Sequence, residues 1–226
     1  MATHTTARAR AREAVIDEIT AEARRQLAEA GAAGLSLRAV ARELGMVSSA
    51  IYRYFPSRDE LLTTLIVGSY RDLAAAADGA ITRSDGSPRG VWRAACVAIR
   101  AWAKAHPHEY ALLYGSPVPG YAAPQDTIDP ATAVYASLVE ALRRSDGRSV
   151  RGPRPLPSGL EADAARVATV LDLAADPDRV VRLLGAWTHL FGLVSFEVFG
   201  HTHGVIEDHD AFFDDRIEAM ADDLGL

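Results

Sequence analysis

The sequence predicts an all-α protein, and three observations carry that prediction. Apolar residues recur three or four positions apart through most of the chain, as in the run from Trp92 to Trp102. No segment alternates apolar and polar residues as a half-buried strand would. Clusters of glycine and proline separate the helical runs. With 226 residues, 49% of them hydrophobic, the chain is long enough for a small domain and a larger one.

Residues 36–58, SLRAVARELGMVSSAIYRYFPSR, have the spacing of a helix-turn-helix. Ser36 stands at the N-cap position of a first short helix, and Gly45 suits the turn after it because glycine tolerates positive φ. A second short helix follows, for which Ser48 is the expected cap. Pro56 would end that helix, since proline has no N–H to donate. In a helix-turn-helix the second helix enters the major groove, so the spacing itself points to DNA binding.

The same residues resemble the N-terminal signature of the tetracycline-repressor (TetR) family of bacterial transcription regulators. The signature runs from Ala-x-x-Leu-Gly into Tyr-x-x-Phe-x-Ser/Asn-Lys/Arg-x-x-Leu. It is matched by Ala41, Leu44, Gly45, Tyr52, Phe55, Ser57, Arg58 and Leu61. Met46 and Val47 depart from it, since Val-Ser usually follows the glycine. The resemblance implies an N-terminal three-helix DNA-binding bundle at residues 1–57. A helical ligand-sensing and dimerisation domain would follow at residues 58–226.

The resemblance also implies the DNA contacts, position by position. Those expected to grip phosphates are Arg38, Tyr52, Tyr54 and Arg58. Those expected to face base edges are Ser48, Ser49 and Arg53. Tyr54 can equally be a core side chain beside Phe55. The partner would be a double-stranded operator containing an inverted repeat, because a homodimer presents two such heads.

The charge distribution agrees with a DNA-binding head. Residues 1–58 hold nine Arg and six Asp or Glu, a net +3, while residues 59–226 hold 15 Lys or Arg and 24 Asp or Glu, a net −9; the sum is −6. A positive head on an acidic body directs one surface to phosphate. Residues 1–11, where Arg8 and Arg10 precede Arg12, are either a solvated tail or an arm that reaches phosphates or the minor groove.

The remaining helices follow from apolar spacing and from glycine and proline positions. A first helix would carry Val15 to Ala30 and close at Gly31 and Gly34. A fourth would begin after the capping box of Ser57 and Glu60 and run to residue 77. Residues 78–90 would link the domains. Further helices are expected at residues 88–105, 130–144, 160–175, 177–200 and 210–224, with a shorter one near 110. Loops are expected at residues 116–130 and 145–159.

The segment at residues 186–200 is apolar on most sides, which favours a core face together with a subunit interface. The predicted homodimer therefore forms through residues 160–200, with Val194 in the interface. A central core helix in a monomer is the alternative. The run from Trp187 to Gly192 also resembles the C-terminal domain of a TetR subset named for a Trp-His-Gly signature, although Phe191 stands in place of its histidine.

Aromatic residues of the body supply apolar walls with a few polar tips, as small-molecule sites usually have. The predicted ligand-binding residues are Trp92, Trp102, His106, Tyr110, Tyr114, Tyr121, Trp187, His189 and Phe191. Taken singly, each is also a plausible core residue. The expected function is a repressor released from its operator by an unidentified small apolar or aromatic effector.

Other chemistries find little support in the sequence. The single cysteine, Cys96, lies in an apolar stripe and indicates a reducing compartment and an inert thiol. A metal site at residues 201–209, which include three histidines, is less favoured than a solvated polar loop. The sequence has no nucleophile elbow or phosphate-binding glycine loop, so we expect no enzyme activity and no cofactor. The alternative is a small helical enzyme or ligand-binding protein with an incidental helix-turn-helix. A leader is absent and the longest uncharged run, residues 183–196, is too short to cross a bilayer, so the expected location is the cytoplasm.

Overall fold

The computed structural model describes residues 7–145 and 154–226. These residues form ten α-helices and no strand, which confirms the all-α prediction. The helices are α1 (Ala7–Gly34), α2 (Leu37–Glu43), α3 (Ser48–Ile51), α4 (Arg58–Thr82), α5 (Pro88–Ala105), α6 (Pro107–Tyr114), α7 (Ile128–Arg144), α8 (Ser158–Val170), α9 (Pro177–Val198) and α10 (His209–Leu224). The first six residues of the predicted tail and residues 146–153 of the predicted 145–159 loop lie outside the described residues.

The chain divides into two compact units. Unit 1 comprises Met1–Ser69 and Pro107–Ile128, and unit 2 comprises Tyr70–His106 and Asp129–Leu226. The boundary expected after residue 57 instead falls twelve residues later, within α4, because the first turns of that helix bury leucines in the core of unit 1. The segment that contains α6 also belongs to unit 1, which sequence reasoning did not foresee.

Unit 1 is built around the helix-turn-helix. α1 packs against α2 and α6, and α2 packs against α3. The buried core consists of Ile19, Ala23, Leu35, Leu37, Val40, Ala41, Ile51, Phe55, Leu61, Leu62 and Leu65. Leu112, Val118 and Tyr121, from the second segment of the unit, pack against this core. The DNA-binding bundle is therefore larger than three helices.

Most of the helix caps and turns predicted for unit 1 are present in the structure. The Ser36 hydroxyl accepts a hydrogen bond from the Ala39 N–H, and Gly45 has a φ of 64° at the turn. The Ser57 hydroxyl accepts from the Glu60 N–H at 3.2 Å, as in the expected capping box. Gly31 has a φ of 66°, yet it bends α1 rather than ending it, and the helix continues to Gly34.

Unit 2 is organised around α9, which packs against α5, α8 and α10, while α5 also contacts α10. Its helices differ from prediction at two ends. α4 continues to Thr82 through the expected linker, because Ala77 and Ile81 continue its buried face. α8 ends at Val170 rather than at residue 175, since the chain turns at Asp172, which has a φ of 46°. The Asp176 side chain then caps α9.

Candidate nucleic-acid interface

The short helix α3 and the turn after it form the outer part of the helix-turn-helix. Its N-cap is Val47, whose side chain has no acceptor group, so the prediction that Ser48 caps the helix is wrong. Ser48 is instead the first helical residue. Beyond the helix, the Tyr54 and Phe55 amides both donate to the Ile51 carbonyl, at 2.9 and 3.0 Å. The turn therefore holds the residues after Ile51 in a compact, nearly helical form.

One side of this element is buried and the other is polar and exposed. Ile51 and Phe55 lie in the core of unit 1. Five of the seven predicted DNA-contacting residues are exposed: Arg38, Ser48, Ser49, Tyr52 and Arg53. Tyr52 leaves 42% of its surface accessible although it is aromatic. The element thus presents hydroxyl groups, a phenol and the Arg53 guanidinium on its outer side, and Arg38 of α2 adds a second guanidinium.

Tyr54 has the core contact that was one of the two roles expected of it, and it also contacts an arginine. Its ring is half-buried and packs against the core of unit 1. The guanidinium carbon of Arg12, from α1, lies 5.7 Å from the centre of that ring. This distance is within the range of a cation–π interaction. Tyr54 is therefore a platform for an arginine as well as a core contact.

Arg58 is engaged differently from the sequence prediction. Its Nη2 donates to the Ala32 carbonyl at 2.6 Å, and its Nε donates to the Leu35 carbonyl at 3.1 Å. A longer bond, 3.4 Å, joins Nη2 to the Ala33 carbonyl. These carbonyls lie at and just beyond the end of α1, where helical partners run out. The guanidinium therefore caps α1, which argues against the predicted phosphate contact.

The nine predicted ligand-binding residues are divided between the two units. Tyr110, Tyr114 and Tyr121 belong to unit 1, and the other six belong to unit 2. Tyr110 is fully buried, with its ring centre 5.1 Å from that of Tyr114. The Tyr121 hydroxyl lies 2.9 Å from the Thr63 hydroxyl of α4, so Tyr121 makes a structural contact within unit 1. These three tyrosines belong to unit 1 because Pro107 starts a new helix, α6, which packs on α1.

Two of the predicted ligand-binding residues in unit 2 have evident structural roles. Trp92 is buried, and its indole N–H donates to the Ile217 carbonyl at 2.9 Å, so its polar atom already has a partner within unit 2. Trp102 is buried beneath the ring of His106, whose Nδ1 lies 3.0 Å from the Trp102 carbonyl oxygen. His106 itself is exposed at the end of α5. This pair therefore closes the end of a helix.

A second aromatic group lies where α7 meets α9. The Trp187 ring contacts the rings of Tyr135 and Phe191 edge-on, with centres 5.4 and 6.3 Å away. The Tyr135 hydroxyl oxygen is buried, and no hydrogen-bond partner for it occurs among residues 7–145 and 154–226. Burial raises the pKa of Tyr135 well above its ordinary value. Sequence reasoning missed this residue, because nothing local distinguishes it from the other tyrosines.

Two clefts open along α9 and α10 in unit 2, and His189 borders both. The first, about 610 Å³, is lined mainly by charged and small side chains, among them Asp178, Arg182 and Arg216. The second, about 330 Å³, is lined mostly by apolar groups such as Phe196 and Phe212. Burial lowers the pKa of His189, and the nearby Arg216 guanidinium lowers it further. His189 is exposed at the junction of the two clefts rather than inside an aromatic pocket.

The residues considered for other chemistry have ordinary surroundings. In the described part of the chain, no three His, Cys, Asp or Glu side chains gather as a metal site would require. His209 Nε2 lies 3.0 Å from the Thr202 hydroxyl, and the His201 ring lies 5.2 Å from that of Phe196. Cys96 is fully buried, and burial raises its pKa well above the ordinary value, so its thiol is unreactive. None of the described helices is long and apolar enough to cross a membrane.

Comparison with known proteins agrees with this geometry. A family model described as bacterial regulatory proteins, tetR family, matches residues 19–65. Another, described as tetracyclin repressor-like, C-terminal domain, matches residues 92–220. Curated relatives include the HTH-type transcriptional regulators Rv1816 of Mycobacterium tuberculosis and Mb1846 of Mycobacterium bovis. Each is 43% identical over 199 residues, which cover 84% of this chain and 83% of the relative.

Solved structures show the same likeness. The crystal structure of the regulatory protein SCO4313 aligns with 95% of this chain and 98% of its own at 35% identity, with a TM-score of 0.77. The TetR family regulator PfmR from Thermus thermophilus shares the fold, with a TM-score of 0.55 at 18% identity over 88% of this chain and 97% of its own. The Trp-His-Gly subset stays a prediction. The chain belongs to the TetR family of DNA-binding transcriptional regulators, whose members are not enzymes.

Proposed function

We propose that this regulator is a homodimeric repressor in the cytoplasm that binds an inverted-repeat operator and leaves it when a small apolar or aromatic ligand binds. The observation that carries the proposal is the two-sided helix-turn-helix. Its inner side is buried in unit 1, and its outer side exposes Arg38, Ser48, Ser49, Tyr52 and Arg53. A rigid element with this polar side suits the major groove.

The exposed side chains divide into base-reading and backbone-binding groups. A guanidinium reads guanine through paired hydrogen bonds in the major groove, which assigns Arg53 to a base. Ser48 and Ser49 lie in the first turn of α3, where short hydroxyl side chains can reach base edges or phosphates. Arg38 on α2 and Tyr52 would bind phosphates on either side. These contacts would fix the register of each head on its half-site.

The proposed dimer uses one face of α9 and α10, although not the residue first expected there. Val194 is fully buried within the protomer, so its predicted place in the interface is wrong. The exposed side of α9 instead carries Gly185, His189, Gly192 and Phe196, spaced four, three and four residues apart. Phe196 leaves 56% of its surface accessible. Such spacing produces a continuous stripe along one helix face.

Two further features support a second copy of the chain on this stripe. Apart from the chain neighbours of each glycine and the nearby backbone of α9 itself, no described atom lies within 4 Å of the position that a Cβ would take at Gly185 or Gly192. Another helix could therefore approach the α9 backbone closely there. Phe212 of α10 is also exposed and lines the apolar cleft beside Phe196. A contiguous apolar surface of this kind is typical of protein interfaces.

The proposed ligand site centres on Tyr135, Trp187 and Phe191. A buried hydroxyl without a hydrogen-bond partner costs free energy, and native proteins seldom tolerate one without a reason. A ligand with an aromatic body and one polar atom would stack beside Trp187 and satisfy the Tyr135 hydroxyl. Only a ligand that binds the DNA-incompetent conformation more tightly would shift the equilibrium away from the operator.

Chain connectivity supplies the route for this coupling. The chain passes between the two units within α4, at the junction of α5 with α6, and at the start of α7. Because α6 packs on α1 and Tyr121 bonds Thr63 inside unit 1, the segment Pro107–Ile128 is a second covalent link to the DNA-binding core.

Selection of binding sites from random DNA tests the proposal. Wild-type protein should enrich an inverted repeat, and Arg53→Ala should lose about 1–3 kcal/mol of operator binding and relax preference at one base per half-site. Arg166→Ala, which changes an exposed arginine of α8 in unit 2, is the matched control and should bind as wild type does. Enrichment of no sequence, or of one without symmetry, would contradict the proposal.

A further inference from the structure

Three arginines lie close together in the first turns of α1. Arg8, Arg10 and Arg12 are all exposed, and within the described residues no acidic side chain pairs with any of them. By contrast, Arg25 farther along the same helix is bound by both Glu22 and Glu29. The start of α1 therefore carries three positive charges that the protein does not neutralise locally.

Helical geometry divides these arginines between two sides. The chain is already helical at Ala7, so these residues do not form the extended arm that the sequence allowed. Each residue turns the helix by about 100°, which places Arg8 and Arg12 on one side and Arg10 on the other. Arg12 lies over the ring of Tyr54, at the end of the helix-turn-helix. The side that carries Arg8 and Arg12 is therefore the one turned toward the proposed DNA-binding element.

Tyr54 holds Arg12 in place. Its ring is anchored against the core of unit 1 while its face receives the guanidinium. A stacked arginine keeps its N–H donors free for a phosphate, since the aromatic face engages only the plane of the guanidinium. Arg8 projects one turn, about 5.4 Å, closer to the start of the helix. Arg12 is thus held on a fixed platform beside the residues that follow α3, and Arg8 lies on the same side of α1.

We propose that Arg8 and Arg12 form a phosphate clamp that binds the DNA backbone flanking the bases read by α3, with Tyr54 as the positioning residue for Arg12. The inference rests on the proposed function, because the clamp needs an operator to act on. Arginine binds phosphate oxygens through two parallel N–H donors, which gives a strong, sequence-independent contact. A helical segment offers this contact to the outside of the duplex, whereas an extended arm would enter the minor groove.

The salt dependence of operator affinity measures the clamp directly. Each phosphate contact contributes about 0.9 to the slope of log affinity against log salt. Arg8→Ala and Arg12→Ala should each lower the slope by about that amount. Between about 50 and 200 mM salt, the affinity of wild type should therefore fall by a factor about 3.5 times larger than the affinity of either variant does. Arg10→Ala removes the same charge from the opposite side of the same helix, so it should keep the wild-type slope.

Tyr54 variants separate the platform from a direct contact. Tyr54→Phe keeps the ring and removes the hydroxyl, so it should keep the wild-type slope if the ring only supports Arg12. Tyr54→Leu removes the aromatic face and should lower the slope in the same direction as Arg12→Ala. A lower slope in Tyr54→Phe would show that the hydroxyl itself binds phosphate and would overturn the platform role. Melting temperatures of all variants identify any that fail to fold.

The failure of the clamp differs from the failure of the proposed function. The clamp would be refuted if Arg8→Ala and Arg12→Ala both kept the wild-type salt slope. If Arg53→Ala still lost its base preference in that case, the proposed function would stand. An equal loss of slope in Arg10→Ala would also refute the clamp. Such a loss would show that the charges act diffusely, whichever side of α1 they lie on. A wild-type protein that binds no inverted repeat would refute the function, and the clamp with it.

Discussion

Arg58 and Ala32 are joined by a hydrogen bond of 2.6 Å, from the guanidinium at the start of α4 to a carbonyl near the end of α1. The two residues are 26 positions apart in the sequence. The bond gives a partner to one of the carbonyl groups that a helix leaves unsatisfied at its C-terminus. The positive charge of Arg58 also interacts favourably with the negative end of the helix dipole. An arginine that the family resemblance assigns to DNA therefore holds two helices of the head together.

The first prediction follows from this bond. Arg58→Ala should lower the free energy of unfolding by about 1.5–3 kcal/mol, because hydrogen bonds from a charged donor to main-chain carbonyls are lost. The salt slope of operator binding should stay at the wild-type value. Arg58→Lys keeps the charge without the fork of donors, so it should also be destabilised. Denaturant unfolding and binding titrations measure both effects. A stable Arg58→Ala protein with a reduced slope would restore the phosphate contact.

The second prediction separates core from interface on α9. Phe196→Arg places a charge on the exposed stripe and should give a folded monomer whose own stability changes little, as is usual for surface substitutions. Val194→Arg buries an unpaired charge and should lose about 3 kcal/mol or more. Sedimentation and thermal melting distinguish the two outcomes. A Phe196→Arg protein that remains fully dimeric at micromolar concentration would place the interface elsewhere.

The third prediction concerns Tyr135. Tyr135→Phe removes a buried hydroxyl that has no partner within the described chain, so the free protein should be as stable as wild type or slightly more stable. Operator binding should be unchanged. The response to a ligand should weaken, since the hydroxyl is the polar contact proposed for it.

Two measurements on one ligand check this. A compound that raises the melting temperature of wild type should also weaken its operator binding, and both effects should shrink together in Tyr135→Phe. Trp92→Phe is a contrasting variant, because it loses the bond to Ile217 and should be destabilised without ligand. A Tyr135→Phe protein that responds fully to the ligand would remove Tyr135 from the site.

The fourth prediction concerns pH. Burial and Arg216 lower the pKa of His189 below its ordinary value of 6.5. The unfolded chain therefore binds a proton at this position more readily than the folded chain does as pH falls below 6.5. The stabilisation of the folded state by neutral His189 is therefore fully present above pH 6.5. It is lost as the pH falls from 6.5 through the lower pKa of the folded state.

A comparison of variants isolates this effect. Between about pH 7.5 and about pH 5.5, the free energy of unfolding should fall more steeply for wild type than for His189→Gln. His203→Gln changes an exposed histidine of the loop after α9 and should follow wild type. Denaturant melts at both pH values give the slopes. Parallel slopes for wild type and His189→Gln would show that the folded surroundings do not resist protonation.

Much of the head could be predicted from the sequence, because its signals are local. Ser36 caps α2 by accepting from an amide only three residues away, and Gly45 adopts a backbone conformation that its missing Cβ allows. The alternation of buried Ile51 and Phe55 with exposed Tyr52 and Arg53 follows from helical spacing alone. The family, the fold class and the exposure of five of the residues proposed to contact DNA could therefore be predicted from the sequence.

Tertiary structure decided the rest, since each remaining assignment depends on residues distant in sequence. Arg58 finds carbonyls of α1, and Tyr135 meets Trp187 fifty-two positions later. On α9, both sides are apolar, so hydropathy cannot tell that Val194 faces the core while Phe196 faces outward. Periodicity reports that a side chain is apolar or polar, but only the packing of helices determines which face is covered and which partner each polar atom finds.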